Sequence, residues 1–293
     1  MRIGGLRVHV NYVRVREVSE LLSILGPYKL MELEERLDPQ FKALKRLAQV
    51  VGKGWASVYA LLVSLVSYKL LMRGEEWWDC MSSFIASRRG GRPPSSTRDA
   101  VDDVIWFIDN CRGSALARDA RKRRILKVYT SSRELLEKLA LDPEYFYSNM
   151  EVMVKALARA LDVEEWRKTV VFTAKMVYYA IRDPGDRRLV NLNIPIPVDT
   201  RVACASYSSM VVEAGSYMEV MRSPKPAQEA WNEVSRRTGI PVLNLDSLLW
   251  LTGWAPRDLS LENARGRVED ILSNVVERET AREIAQRLYM RKC

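Results

Sequence analysis

Histidine is nearly missing. The 293-residue chain has one, His9. Histidine is the commonest general base and metal ligand, so its scarcity speaks against Ser-His-Asp catalysis and against multi-histidine metal sites. Any chemistry must come from Lys, Asp, Glu, Cys, Tyr or backbone dipoles, and His9 itself is expected to be structural. Cysteine is scarce as well. Cys80, Cys111, Cys204 and Cys293 are scattered, and no two have the spacing of a zinc site or an iron–sulfur box. They read as buried or incidental thiols, with no metal and no cofactor expected. No apolar run reaches the roughly 18 residues that span a bilayer. The opening MRIGGLRVHV lacks a long apolar core with a small-residue cleavage site. A cytosolic protein with no membrane partner is expected. There is no Gly-rich phosphate loop, no succession of alternating strands and no internal repeat.

What is present is positive charge and helical periodicity. Lys and Arg number 46 against 37 Asp and Glu, a net charge of +9, which points to a polyanionic partner, nucleic acid ahead of an acidic membrane surface. Hydrophobic residues make up 47%, enough for a packed core rather than a disordered chain. Val15, Val18, Leu21, Leu22 and Leu25 recur at helical spacing up to a stop at Gly26-Pro27. Asp38-Pro39 opens the next helix and places Gln40 in its first turn. Residues 55–71 are apolar nearly all round and predict one buried central helix. Trp77 and Trp78 point about 100° apart on a helix, so one of them is expected to be partly exposed. Residues 87–98, SRRGGRPPSSTR, read as the clearest loop of the chain. The stretch from Arg118 to Lys127 carries six cations against one acid. It is either a solvated helix face or a phosphate-binding one, in which Arg121, Arg124 and Lys127 would meet DNA phosphates. Residues 131–141 and 149–161 read as amphipathic helices. Residues 200–220 read as helical with Gly215 inside, 227–238 as a helix ended by Gly239, 241–246 as extended, 247–252 as helical, and 262–290 as one helix or two.

The centre of the chain is Lys168–Ala203. An apolar helix carries Lys175 in its middle, the turn Asp183-Pro184-Gly185-Asp186 breaks it, and a stiff Ile194-Pro195-Ile196-Pro197-Val198 leads to Asp199 at a helix start. Lys175 has two readings. It snorkels its charge to solvent, or desolvation lowers its pKa so that the neutral amine attacks carbon. Asp199 is an ordinary N-cap, or a pre-oriented ionised carboxylate that takes a proton or stabilises a developing cation.

The segments KTVVFTAKMVYYA, NIPIPVDTRVA and GIPVLNLDSLLWLTG resemble the archaeal GO glycosylases, a branch of the helix-hairpin-helix DNA glycosylase superfamily that removes 8-oxoguanine. Looser matches are DPQFKALKRLA, VSYKLLMRGEEWWDCMSSF and the basic RKRRILKVY helix, so the resemblance runs from about residue 30 to residue 255. It implies a bifunctional N-glycosylase/DNA lyase, with Lys175 as the Schiff-base lysine and Asp199 as the catalytic aspartate. Gln40, Trp78, Asp246 and Trp250 match positions that hold the flipped oxidised guanine, and Tyr179 falls where an aromatic residue stacks. The stretch 87–98 has the look of an insertion. Some members of the superfamily carry a four-cysteine cluster near the C-terminus; Cys293 stands alone here, so none is expected. The physics agrees with the resemblance. A base must be turned out of the duplex to be attacked, and 8-oxoguanine differs from guanine by an N7–H donor that a carboxylate or carbonyl can read.

The fold expected is all-α with two subdomains, residues 1–49 plus 196–293 and residues 50–195, and an active site in the cleft between them. The protein is expected to act as a monomer on DNA that contains oxidised guanine. A non-catalytic nucleic-acid-binding protein on the same helical scaffold is the alternative. A small-molecule Schiff-base lyase is disfavoured by the charge.

Overall fold

The computed structural model describes residues 8–293 and is almost entirely helical. In chain order the helices are α1 (Tyr12–Ser23), α2 (Gly26–Leu37), α3 (Pro39–Val51), α4 (Lys53–Ser64), α5 (Gly74–Arg89), α6 (Thr97–Asn110), α7 (Arg118–Ser131), α8 (Arg133–Leu141) and α9 (Pro143–Ser148). They continue as α10 (Met150–Leu161), α11 (Lys168–Ile181), α12 (Thr200–Ser208), α13 (Tyr217–Arg222), α14 (Lys225–Thr238), α15 (Val242–Thr252), α16 (Ala255–Asp258), α17 (Leu261–Leu272) and α18 (Arg278–Leu288). Two short strands, β1 (His9–Val10) and β2 (Val212–Glu213), pair antiparallel with His9 opposite Glu213. No helix among the described residues is long and apolar enough to cross a membrane.

The chain divides into two compact units, Met1–Asp38 with Arg187–Cys293, and Pro39–Asp186. These boundaries differ from the 49/50 and 195/196 expected from sequence. Helix α3 packs on α4, α5 and α11, so Gln40 belongs to the Pro39–Asp186 unit.

In the Pro39–Asp186 unit, α4 and α11 form the central pair. Both are apolar on nearly every face, and a helix of that kind is stable only when neighbours cover all of it. Helix α4 is shorter than its apolar run predicts and ends at Ser64. The carbonyls that follow are gathered by α7. Arg121 Nε donates to Val66 O at 2.9 Å, and its other nitrogens reach Ser114 O at 2.8 Å, Lys69 O at 3.3 Å, Leu116 O and Tyr68 O. Arg124 adds Leu65 O at 3.1 Å. Arg121 is thus fully buried, and the expectation that it meets a DNA phosphate is overturned. Its donors satisfy carbonyls left open in the segments after α4 and before α7. Arg124 is half-buried, whereas Arg123 and Lys127 stay exposed.

The tryptophan expectation is corrected too. Trp77 and Trp78 are both buried, because α5 is covered on two sides. Trp77 packs 4.5 Å from Phe107 of α6 and donates to Ser67 Oγ at 2.9 Å, while Trp78 lies 6.2 Å from Phe172 of α11. The predicted 87–98 loop is shorter than expected and spans residues 90–96, with helix on either side. Helix α5 runs to Arg89, and Ser96 caps α6 by accepting from Asp99 N. Arg88 and Arg89 both pair with the buried Asp103, at 2.7 and 2.5 Å, and Tyr59 donates to the same carboxylate. A carboxylate taken out of water needs such partners.

In the other unit, α1 packs on α14 and α18, α2 on α15, and α12 on α13 and α15 around a core that includes Trp231, Leu245 and Leu249. The helix expected over 200–220 stops at Ser208, because β2 leaves it to pair with β1, a partner some 200 residues upstream that no local pattern announces. Residues 241–246 are helical rather than extended, since α15 begins at Val242 directly after Pro241. The cysteines are not all incidental. Cys204 of α12 and Cys293 form a disulfide, 89 residues apart in sequence. The thiols Cys80 and Cys111 lie 3.0 Å apart.

Candidate active site

Helix α11 places Lys175 by packing. Its flanks Val170, Val171, Ala174, Met176 and Val177 are all buried, and Lys175 itself is 1% exposed. The snorkelling alternative therefore fails, because the side chain does not reach solvent. Its Nζ lies 5.5 Å from the Tyr179 ring centroid, one helical turn on. Tyr179 is buried against the edge of Phe41 at 5.3 Å, and Phe41 follows Gln40, buried in the first turn of α3. The sequence-predicted residues Lys175, Tyr179 and Gln40 thus lie on the packed pair α11 and α3, with Trp78 facing α11 through Phe172.

The last turn of α11 is held by a residue that sequence reasoning passed over. Lys45 Nζ donates to Ala180 O at 2.8 Å and Arg182 O at 2.5 Å, which satisfies carbonyls at the helix end with a cation. Beyond it the chain turns at Gly185, where φ is +83° and glycine alone is unstrained.

In the other unit, α12 begins as the sequence predicts. Asp199 is its N-cap, and one carboxylate oxygen accepts from Arg201 N and Val202 N, each at 2.9 Å. The carboxylate is therefore fixed at the positive end of a helix. Asp246 and Trp250 lie one turn apart on α15. Asp246 is buried and Trp250 half-buried. Helix α15 is oriented from α2 by Asn244, whose side chain donates to the buried Glu34 at 2.9 Å.

Sequence reasoning also missed Arg201. Its guanidinium stacks over the Trp250 ring, 4.0 Å from the centroid, and Nη1 donates to Trp250 O at 2.9 Å. The two helices meet closely only because residue 253 is glycine. A Cβ there would fall 2.5 Å from Arg201 O. An arginine just inside one helix and a tryptophan 49 positions later carry no local signal of this contact.

Comparison with known proteins agrees with the sequence resemblance. A family model described as "AGOG: N-glycosylase/DNA lyase" matches residues 19–286. An N-glycosylase/DNA lyase of Aeropyrum pernix is 43% identical over 285 residues, 97% of this chain and 98% of that one. One from Pyrobaculum aerophilum is 30% identical and covers 89% of this chain and 93% of its own length. Among solved structures, the 8-oxoguanosine complex of Pa-AGOG, the 8-oxoguanine DNA glycosylase of Pyrobaculum aerophilum, superposes with a TM-score of 0.72 at 28% identity, covering 94% of this chain and 97% of that chain.

Proposed function

The chain belongs to the AGOG family of N-glycosylase/DNA lyases, and from that premise we propose that it excises 8-oxoguanine from DNA and then cleaves the strand through a lysine Schiff base. The observation that carries the reading is Lys175, a primary amine buried in the middle of an apolar helix at the place where the family resemblance puts the nucleophile.

In this reading the neutral Lys175 amine attacks C1′ of the flipped nucleotide. The N-glycosidic bond breaks, and the base leaves with the bonding pair and takes up a proton. Loss of the amine proton and opening of the sugar ring give an imine between Nζ and C1′. The imine acidifies C2′–H. Removal of that proton expels the 3′ phosphate by β-elimination, and water then releases the unsaturated sugar and regenerates the lysine. Asp199, whose carboxylate accepts from two main-chain N–H groups, stabilises positive charge at the sugar and receives the proton that the attacking amine sheds. Gln40, Trp78, Tyr179, Asp246 and Trp250 are the residues that hold the extruded base, by stacking and by hydrogen bonds to its edge. On the DNA backbone, the exposed Lys127 and the half-buried Arg124 remain as phosphate contacts from the sequence-predicted set, without Arg121.

Borohydride trapping on an oligonucleotide with a single 8-oxoguanine tests the reading. The wild type should give a covalent protein–DNA adduct and Lys175→Ala none, while the mutant still binds the duplex. An adduct of equal yield in Lys175→Ala would remove Lys175 as the nucleophile. No adduct with the wild type, on either 8-oxoguanine or abasic DNA, would remove the lyase mechanism.

A further inference from the structure

The residue between Asp199 and Trp250 joins two functions. The main-chain N–H of Arg201 donates to the Asp199 carboxylate at 2.9 Å, and its side chain covers the Trp250 ring and donates to the Trp250 carbonyl. We infer that Arg201 is a positioning residue for excision. It holds the Trp250 indole as a rigid platform for the extruded base, in register with the Asp199 carboxylate. This rests on the proposed 8-oxoguanine reaction.

Three features support the assignment. First, the contact has two parts, a face-on stack and a hydrogen bond to the backbone of the same residue. Together they fix both the ring plane and the helix turn that bears it. A guanidinium can make both at once because it is planar with forked donors, whereas an ammonium cannot. Second, Gly253 leaves the space that the approach of α12 to α15 requires, with Leu249 O and Arg201 O at 2.4 and 2.5 Å from where a Cβ would stand. Third, the guanidinium takes one face of the indole, so a purine stacks on the opposite face. That arrangement sandwiches the ring between a cation and the oxidised base and removes the freedom of a half-buried side chain to rotate away.

The role separates excision from strand cleavage. Stacking matters while a base is present. A preformed abasic site has no base to stack, and the Asp199 anchor is a main-chain group that substitution of the Arg201 side chain leaves in place. The experiment compares wild type, Arg201→Gln and Arg201→Lys in single-turnover assays on duplexes holding either 8-oxoguanine or a preformed abasic site, with circular dichroism melts for each. Loss of the stack and hydrogen bond should slow excision by Arg201→Gln about tenfold, with the change in half-saturating enzyme concentration smaller than the change in rate. Abasic cleavage should change less than about twofold, and Arg201→Lys should recover part of the loss by restoring the stack alone. Trp250→Ala should cost excision as much as Arg201→Gln, and the double variant no more than the larger single loss. Excision at the wild-type rate in Arg201→Gln, or an equal fall on both substrates, would overturn the inference. Failure of the wild type to excise 8-oxoguanine would instead overturn the reading on which it rests.

Discussion

Helix α11, which carries Lys175 in the Pro39–Asp186 unit, and helix α12, which Asp199 opens in the other unit, hold the two residues proposed to react by different physical means. Along α11 nearly every side chain from Val170 to Ile181 is buried, and the amine is placed by van der Waals packing with a single cationic clamp, Lys45, at the far end. Along α12 the hold is directional at both ends. Asp199 caps the start. At the finish Met290 N donates to Ser208 O at 2.8 Å, Arg291 Nε donates to Tyr207 O at 3.0 Å, and Cys204 is bonded to Cys293. In the proposed reaction, an amine that attacks in its neutral form is served by apolar surroundings. A carboxylate that works as an anion needs donors aimed at it.

That contrast can be broken at defined points, and the largest effect should be at Asp199. Asp199→Asn keeps an N-cap acceptor and removes the charge. Excision of 8-oxoguanine should fall about a thousandfold while the melting temperature stays near wild type. Asp199→Ala should add a stability loss of about 1 kcal/mol by removing the cap as well. A wild-type excision rate in Asp199→Asn would reduce the carboxylate to a capping group. Next comes the disulfide. Cys293→Ser, or reduction of the wild type, should cost about 3 kcal/mol in guanidinium melts, because a long loop is released in the unfolded chain. Cys111→Ser, which touches no disulfide, should serve as the unaffected control. A midpoint indifferent to reductant would mean that the caps alone hold α12. The smallest effect should be at Lys45. Lys45→Met leaves two carbonyls at the end of α11 to water and should destabilise by about 1–2 kcal/mol, with faster hydrogen exchange confined to the last turn. Exchange that accelerates equally along all of α11 would show that the helix is not packed independently of its clamp.

Local patterns in the sequence account for much of this architecture. Asp199 at an N-cap, Gly239 after α14 and an apolar α11 with Lys175 in its middle all follow from chemistry within a turn or two of each residue. The failures share one cause. Arg121 looked like one more surface cation, but three of the carbonyls it meets, those of Val66, Tyr68 and Lys69, lie more than fifty residues away. Trp77 and Trp78 could not both be placed in a core from one helix's geometry, because α6 and α11 bury them from different sides. The segment after Ser208 had helical composition and left the helix for a strand partner near the N-terminus.

The amino-acid sequence by itself determined the helical class, the apolar core, the family, a lysine inside an apolar helix and an aspartate at a helix start. Each of these depends on spacing along the chain, which periodicity, capping and motif order record. Only the tertiary structure decided that Lys175 is cut off from solvent, that Arg121 is internal scaffolding, that Cys204 and Cys293 are joined, and that Arg201 lies on Trp250. Those are meetings of side chains far apart in sequence. They arise when closed packing leaves each buried polar group to find a partner among whatever the fold has brought near, and no local pattern encodes which one that is.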